Sequence, residues 1–262
     1  MEPRFQDQVV IVTGASKGIG QATACAFARE GARVIVNYRS DDAGAQETLA
    51  QIEQGGGQAW LYRVDISQVG EAEKMVSEIE QQVGPIRVLV NNAAAFNRQP
   101  FLEVPLDELD RVWATNVRGL YSLSQQVARR MAARGQGAIV HVSSILAQLT
   151  VPGRTVYCTT KGAVESLAKA MAIDLKPYNV RVNVISPGMI RTEALLSGFS
   201  PELQAAVQSY IPGGRFGEGE EVAQAILFLS SDAASYITGV VLPVDSGLSS
   251  REAGPPAKPV QN

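Results

Sequence analysis

The sequence predicts an α/β fold: a doubly wound parallel sheet of seven strands with helices on both faces, in three α/β/α layers. Two observations indicate it. Short apolar runs rich in Val and Ile recur without polar alternation, which is typical of strands buried on both faces. Helical patterns separate these runs, as in consecutive βαβ units with right-handed crossovers. The predicted strands are Val9–Val12, Arg33–Asn37, Ala59–Val64, Arg87–Asn91, Ala138–Val142, Val180–Ile185 and Val240–Val244.

The segments between the strands have helical periodicity. The predicted helices are Gln21–Glu30, Asp41–Gln54, Ser67–Val83, Leu106–Arg134, Thr155–Lys176 and Glu218–Ser231. We expect Ser40 to cap the second helix and Pro177 to end the fifth. Because no linker divides the chain, we predict one domain over residues 1–250, followed by a proline-rich, disordered tail over residues 251–262.

Composition excludes several classes of function. The chain has 262 residues and a formal net charge of -3, which gives no basic surface for nucleic acid or anionic membranes. It contains no apolar run of about 18 residues and no apolar run of signal-peptide length near its start, so we expect a cytoplasmic protein. Cys25 and Cys158 form no disulfide framework, and the single histidine, His141, excludes multi-histidine metal sites.

The turn after the first strand is rich in glycine. Residues Thr13–Gly20 read TGASKGIG, between a strand and a helix that lead into a second strand. Glycine permits a tight turn and a close approach of backbone to ligand, and the helix start favours phosphate. We predict a Rossmann-like dinucleotide site with G-x-x-x-G-x-G spacing; the alternative is a loop that only packs.

The end of the second strand carries the residues that would meet the adenosine ribose. It reads Asn37-Tyr38-Arg39-Ser40 and has no acidic residue. A carboxylate there favours NAD, whereas an arginine suits the 2′-phosphate of NADP. Arg39, with Lys17 of the glycine turn, therefore favours NADP, with NAD as the second choice. The alternative is that Arg39 only pairs with Asp41 or Asp42.

Polar residues follow the third and fourth strands. Asp65 either accepts a hydrogen bond from the adenine amino group or turns the chain toward the next helix. Asn91 and Asn92 lie at the carboxyl edge of the sheet, where open α/β sheets bind ligands. They line that site or hold neighbouring strand ends together.

A catalytic pair is predicted on the fifth helix. Tyr157 and Lys161 are four residues apart, hence on one face. An ammonium about 4 Å from the phenol contributes about 4 kcal/mol, which would lower the tyrosine pKa by about three units. Such a phenol is a general acid or base near neutral pH. Ser144 either orients a substrate carbonyl or caps a strand end. Asn116 either forms hydrogen bonds to a backbone carbonyl and a water or is simply exposed at the surface.

In this order the motifs resemble the short-chain dehydrogenase/reductase family, from about Gln6 to Leu248. The resemblance implies catalysis by Asn116, Ser144, Tyr157 and Lys161. Tyr157 would exchange the proton while hydride passes between the nicotinamide and the substrate carbon. Lys161 would lower the phenol pKa and bind the ribose, and Asn116 would hold a relay water. The cofactor-binding residues implied are Gly14, Ser16, Lys17, Gly18, Ile19, Gly20, Tyr38, Arg39, Ser40, Asp65, Ile66, Asn92, Ala93, Ala94, Tyr157, Lys161, Pro187, Gly188, Ile190 and Thr192.

The resemblance also implies a mobile lid over Glu193–Pro212 and a homotetramer. The tetramer would form through Leu106–Arg134, Thr155–Lys176 and the C-terminal region. Three positions depart from the family pattern: Ala94 and Ser246 stand where glycine is usual, and Cys158 where small residues are common.

The substrate expected is a small-molecule or acyl-thioester carbonyl. Residues 214–223 resemble the corresponding segment of 3-oxoacyl-acyl-carrier-protein reductases, which is the activity that we predict first. Val36–Ser40 resembles the corresponding segment of glucose 1-dehydrogenases, so a glucose 1-dehydrogenase or another polyol or ketone enzyme is the alternative. A dinucleotide sensor that has lost catalysis is the alternative of another class, opposed by four intact catalytic positions. A sugar-nucleotide epimerase would need a larger C-terminal domain.

Overall fold

The fold is a parallel seven-stranded sheet between two layers of helices. The computed structural model describes residues 3–197 and 199–250, and its strand order is β3-β2-β1-β4-β5-β6-β7. The predicted fold class is confirmed. The strands are β1 (Val9–Thr13), β2 (Arg33–Tyr38), β3 (Gln58–Arg63), β4 (Ile86–Asn91), β5 (Gly137–Val142), β6 (Val180–Pro187) and β7 (Val241–Val244).

Nine α-helices are found in the part of the chain that the structure describes. They are α1 (Gly18–Arg29), α2 (Asp42–Gln54), α3 (Val69–Gln82), α4 (Leu106–Trp113), α5 (Leu120–Arg134), α6 (Thr155–Leu175), α7 (Glu193–Leu196), α8 (Pro201–Tyr210) and α9 (Gly219–Ser230). None of the helices within residues 3–197 and 199–250 is long and apolar enough to cross a bilayer. The predicted tail, residues 251–262, lies outside the described residues.

Two apolar cores lie on opposite faces of the sheet. In β1, Val10 and Val12 face the core formed with α1, α2 and α9, and Val9 and Ile11 face the core formed with α3, α5 and α6. Successive side chains of a strand point to opposite faces, so both faces here are apolar. This double burial explains why the strand sequences lack polar alternation.

The sheet changes its direction of winding between β1 and β4. These strands are neighbours, although β2 and β3 separate them in sequence. The connections from their carboxyl ends run to opposite sides of the sheet and leave a crevice, which is the usual ligand site of open α/β sheets. The glycine turn follows β1, and Asn91 ends β4, so both lie at this crevice.

Two predicted local features are wrong. Asp41, not Ser40, caps α2, because the Asp41 carboxylate accepts a hydrogen bond from Gly44 N at 3.1 Å. The single helix predicted over Leu106–Arg134 is interrupted by a π-helical turn, Ala114–Gly119, between α4 and α5. Such turns carry one extra residue per turn and are frequent at functional sites.

Candidate active site

The glycine turn packs directly against the end of β4. At Gly14, φ is +62°, and a Cβ there would lie 2.9 Å from Ala93 Cα. A Cβ at Gly20 would collide with the Gly14 carbonyl. Asn92 fixes the turn, since its Nδ2 donates to Thr13 O at 2.9 Å and Gly14 O at 3.0 Å. Positions 14 and 20 therefore admit only glycine, and this lets the turn pack closely against the end of β4.

The start of α1 suits an anion. No side chain in the described part of the chain caps this helix, so its first N–H groups carry the positive end of the helix dipole. A cleft of about 520 Å³ lies beside it, with Ser16, Lys17 and Thr192 in its wall. A pyrophosphate fits this glycine cradle and helix end. Ile19 belongs to the first turn of the same helix.

The residues at the end of β2 and just after it carry the charges that would meet the adenosine ribose. Arg39 and Ser40 are exposed, whereas Tyr38 is buried and donates a hydrogen bond to Asp42 at 3.0 Å. Lys17 Nζ lies 3.7 Å from the Asp41 carboxylate. The other acid expected near Arg39, Asp42, pairs with Arg63 at 3.3 Å.

Arg39 is therefore not held by either aspartate. Within residues 3–197 and 199–250, no hydrogen bond or ion pair involves its guanidinium. The expected alternative, in which Arg39 pairs with Asp41 or Asp42, is not what the structure shows.

Asp65 turns the chain after β3. Its carboxylate accepts a hydrogen bond from Ser67 N at 2.9 Å, and its carbonyl accepts one from Gln68 N at 2.9 Å. The structure thus shows the turn-forming alternative, and Ile66 between them is buried.

Asn91 ties β4 to its neighbours. Its Nδ2 donates to Ser124 Oγ and contacts His141 Nδ1, both at 3.0 Å. Burial, and then the charge of Lys161, lowers the pKa of His141 to about 3, so this imidazole is neutral. Asn91 and Asn92 both have the strand-holding role that was one of the two alternatives.

The segment after β6 crosses toward the glycine turn. Gly188 N donates to Val244 O at 3.0 Å, directly after Pro187 ends the strand. Ile190 forms a bridge with Gly217, and the methyl of Thr192 would lie 3.2 Å from a Cβ at Gly18. These predicted cofactor residues lie on the far side of the crevice from β4. The expected lid that follows contains α7 and α8.

Tyr157, Lys161 and Ser144 come together at the carboxyl edge of β5. Tyr157 and Lys161 are buried on successive turns of α6. The Ser144 hydroxyl follows β5 and lowers the pKa of the Tyr157 phenol, against the effect of burial. It accepts a hydrogen bond from Leu146 N at 3.1 Å. Ser144 thus has the capping role that was one alternative, and it also acts on the phenol.

The predicted lowering of the phenol pKa is not found, because burial outweighs the contributions that oppose it. Burial raises the pKa of Tyr157 to about 12, against opposing contributions from the Ser144 hydrogen bond and the Arg154 charge. Lys161 Nζ donates to Val142 O at 2.6 Å and lies over the ring face, 5.6 Å from its centroid. Its ammonium is thus directed to a backbone carbonyl and not to the hydroxyl. Burial lowers the pKa of Lys161 itself to about 8.

Asn116 is buried inside the π-helical turn, so the alternative of surface exposure is wrong. Its Nδ2 donates to Ala95 O at 2.9 Å and to Thr160 Oγ1 at 3.0 Å, and its Oδ1 accepts from Ala95 N at 2.7 Å. The side chain joins the segment after β4 to the catalytic helix. Its expected role in a proton relay stays a prediction.

The sequence reasoning missed three residues beside the phenol. The half-exposed ring of Phe96 stacks on Tyr157 with centroids 4.8 Å apart. Asn97 Oδ1 accepts from Tyr157 N at 3.3 Å, and Arg154 Nη1 donates to Asn97 O at 2.9 Å. Phe96 and Asn97 closely follow Asn92, and Arg154 closely precedes Tyr157, which was the only signal available.

The departures from the family pattern have local consequences. Ser246 has φ +57°, in the left-handed region that favours glycine. Cys158 is partly buried, with its Sγ 3.8 Å from Thr150 Oγ1. Ala94 is half-buried between the cradle and Phe96.

Comparison with known proteins covers nearly the whole chain. A family model described as Enoyl-(Acyl carrier protein) reductase matches residues 14–249. L-rhamnose 1-dehydrogenase (NAD(P)(+)) of Azotobacter vinelandii is 40% identical over 247 residues, which are 92% of this chain and 96% of that protein. The chain belongs to the short-chain dehydrogenase/reductase family.

Two solved structures of the short-chain dehydrogenase/reductase family share this fold. The 7 alpha-hydroxysteroid dehydrogenase complexed with NADH and 7-oxo glycochenodeoxycholic acid has a TM-score of 0.89 and 36% identity, covering 94% of this chain and 96% of that one. A gluconate 5-dehydrogenase from Burkholderia cenocepacia, in complex with NADP and tartrate, has a TM-score of 0.89 and 30% identity, covering 96% and 98%.

This member of the short-chain dehydrogenase/reductase family is therefore an NAD(P)-dependent oxidoreductase acting on hydroxyl or carbonyl groups. When bound, the nicotinamide dinucleotide supplies or accepts the hydride. The glycine turn and the start of α1 fit its pyrophosphate. The Tyr157 hydroxyl carries a proton, because burial keeps its pKa well above neutral pH.

Proposed function

We propose that this chain is an NADP-dependent dehydrogenase or reductase of small polyhydroxylated molecules. Tyr157 donates the proton to the developing alkoxide in reduction and removes it from the alcohol in oxidation. The observation that carries this proposal is the Tyr157 phenol buried on α6, with Ser144 acting on it from the end of β5, in a chain whose glycine turn admits only glycine at Gly14 and Gly20. A phenol with a pKa of about 12 holds its proton at neutral pH, so it is in the form needed for reduction.

Ser144 and Lys161 assist the phenol in different ways. The Ser144 hydroxyl, which acts on the Tyr157 phenol, orients the reacting oxygen and stabilises charge that develops on it. The Lys161 ammonium lies over the tyrosine ring, where it favours the phenolate that forms once the proton has left. Asn116 positions the segment after β4 against α6 through its hydrogen bonds to Ala95 and Thr160.

Arg39 supports the preference for NADP. Its exposed guanidinium follows β2, and no partner among the described residues neutralises it. A guanidinium binds a phosphate through two parallel hydrogen bonds, and a ribose hydroxyl offers no such charge. Lys17 lies on the glycine turn, where Asp41 at 3.7 Å and Glu193 at 3.4 Å offset its charge, so Arg39 is the main support for this preference.

The relatives' activities support a sugar-like substrate. The names L-rhamnose 1-dehydrogenase and gluconate 5-dehydrogenase both describe oxidation of a polyhydroxylated molecule. This favours the polyol alternative over the 3-oxoacyl thioester that the sequence placed first. The thioester remains a second candidate, since the matching family model has an acyl-carrier-protein description.

We also propose a homotetramer built through α5 and α6. Tyr121 on α5 and Ile173 on α6 are 50% and 71% exposed, and such apolar side chains support an interface with a second copy. Light scattering coupled to size exclusion tests this assembly: a mass near four chains supports it, and a monomer contradicts it.

The test of the proposed function is a substrate panel with both cofactors. Sugars, polyols and an acetoacetyl thioester are each assayed with NADP(H) and NAD(H), following absorbance of the reduced nicotinamide. We expect turnover of a sugar or polyol with NADP(H). Turnover restricted to the thioester would favour the second candidate, and cofactor binding without any turnover would favour a dinucleotide sensor.

Cofactor choice is tested by Arg39→Asp. Loss of a charge-assisted phosphate contact, together with repulsion from the new carboxylate, should reduce the NADP/NAD ratio of kcat/KM by about 100-fold. Lys74→Asp is the control, because it makes the same charge change on α3, where Lys74 pairs with Glu78. An unchanged ratio in Arg39→Asp would show that this residue does not contact the phosphate.

A further inference from the structure

Two loops meet beside the Tyr157 phenol and bring two arginines together. Gln99 N donates to Gly153 O at 3.2 Å, which joins the loop after β4 to the loop before α6. Arg154 Nη1 donates to Asn97 O at 2.9 Å. Arg98, between Asn97 and Gln99, is exposed at this junction, and Arg154 is half-buried directly before α6.

The charge of Arg98 acts on Arg154, and the charge of Arg154 acts on the phenol. Burial, and after it the charge of Arg98, lowers the pKa of Arg154. The charge of Arg154 opposes the burial that raises the pKa of Tyr157. An anion bound between the two arginines would offset the repulsion between their charges.

No carboxylate neutralises this pair within residues 3–197 and 199–250. Other arginines in the structure do have acidic partners, such as Arg134 with Glu80 at 2.8 Å and Arg215 with Glu221 at 2.7 Å. Arg154 is also next to the N-terminus of the 21-residue helix α6, whose dipole adds positive potential at the same place.

A buried, unpartnered donor lies at the same junction. Asn97 is 4% exposed, and its Nδ2 has no hydrogen-bond partner among the described residues. Its Oδ1 is held by Tyr157 N at 3.3 Å, which fixes the amide at the first turn of α6. A buried amide N–H without an acceptor costs about 1–3 kcal/mol, so such a group in a native protein indicates a missing acceptor.

We propose that Arg98, Arg154 and Asn97 form an anion subsite that binds the carboxylate of a small hydroxy acid whose carbinol reacts at Tyr157. The inference rests on the proposed oxidoreductase function and narrows its substrate to an acid of the aldonate type. Arg154 supplies a positive charge near the reacting oxygen. Arg98 supplies a second positive charge from the solvent-exposed side of the subsite, and Asn97 supplies an uncharged hydrogen-bond donor.

The position of the pair argues against docking of an acidic carrier protein. A protein partner is recognised by an exposed patch at the surface, whereas Arg154 is half-buried and its charge acts on the phenol itself. An anion held there belongs to the molecule that reacts. The test separates these two occupants.

The experiment compares an aldonate with the alditol of the same carbon chain, which differs in carrying no carboxylate. For the wild-type chain we expect a higher kcat/KM for the aldonate. Arg98→Gln and Arg154→Gln should each reduce the aldonate-to-alditol ratio of kcat/KM about 10- to 100-fold, mainly through KM. Arg154→Lys, which keeps the charge, should restore part of the ratio. Arg63→Gln, at an exposed arginine that ends β3, is the control that leaves the ratio unchanged.

Direct binding gives a readout that does not depend on turnover. Tartrate is titrated into the full chain by calorimetry, and the same two glutamine variants should weaken its Kd about 10-fold or more. A Kd that neither variant changes overturns the inference, as does an equal kcat/KM for aldonate and alditol. Variants that impair only a carrier-protein thioester overturn it in favour of protein docking.

These outcomes separate the inference from the proposed function. Turnover of neutral polyols with no preference for acids leaves the proposed function standing and removes the subsite. Absence of turnover with every substrate and both cofactors removes the proposed function, and the tartrate titration then decides the subsite alone.

Discussion

The buried ammonium of Lys161 makes stability depend on pH in a predictable way. Burial lowers its pKa from the usual 10.5 to about 8. Between pH 8 and 10.5 the unfolded chain therefore binds more protons at this residue than the folded chain does, so the free energy of unfolding rises with pH. The full rise is about 3 kcal/mol, since one pKa unit corresponds to about 1.4 kcal/mol. It is complete above pH 10.5 and is lost as pH falls through 8.

Lys161→Met removes this titration and keeps much of the side-chain volume. The stability of the variant relative to wild type should be highest at pH 7 and should decrease by about 3 kcal/mol as pH approaches 10.5. Loss of the hydrogen bond to Val142 O costs about 1 kcal/mol at every pH, which shifts the curve without changing its slope.

The measurement is urea unfolding followed by circular dichroism at pH 7, 8, 9 and 10. Lys169→Met is the matched control, because Lys169 is exposed two turns further along α6, and its difference from wild type should not vary with pH. A constant difference between Lys161→Met and wild type over this range would refute the reasoning that burial depresses the Lys161 pKa.

Two further predictions concern stability. Asn116→Ala leaves the buried N–H and C=O of Ala95 without partners and should reduce the free energy of unfolding by about 3 kcal/mol. The control is the neighbouring Thr115→Ala, which should reduce the free energy of unfolding by less than about 0.5 kcal/mol. If denaturant unfolding gave equal losses for the two variants, Asn116 would not hold the Ala95 backbone as described. Ser246→Gly relieves the strain of a left-handed backbone and should stabilise the protein by about 0.5 kcal/mol. The control is Ser235→Gly, which should destabilise the protein because φ there is −56°, a value that serine adopts without strain. A lower Tm for Ser246→Gly would contradict the claim that Ser246 is strained.

The fold was predictable because its signals are local. Strands buried on both faces need continuous apolar runs, and a turn packed against β4 needs glycine at Gly14 and Gly20. Helix ends were less predictable: Ser40 and Asp41 are both good caps, and the backbone alone decides which one takes the position. The π-helical turn has no period of its own in the sequence, although Asn116, a residue type that disfavours helix interiors, lies within it.

The candidate site was predictable in position but not in electrostatics. A spacing of four residues places Tyr157 and Lys161 on one face, but it does not say that the ammonium bonds Val142 O and leaves the hydroxyl. Nor does it measure burial, which determines the pKa of both groups. Arg154 and Asn97 are 57 residues apart, so their contact depends on how two loops pack.

The central claim is that the Tyr157 phenol transfers the proton. Tyr157→Phe removes only the hydroxyl and keeps the ring that stacks on Phe96. We expect kcat to fall about 100- to 10,000-fold, the range for a lost general acid or base, while the Kd for NADPH from fluorescence titration stays nearly unchanged. Turnover of the phenylalanine variant at the wild-type rate would contradict the claim.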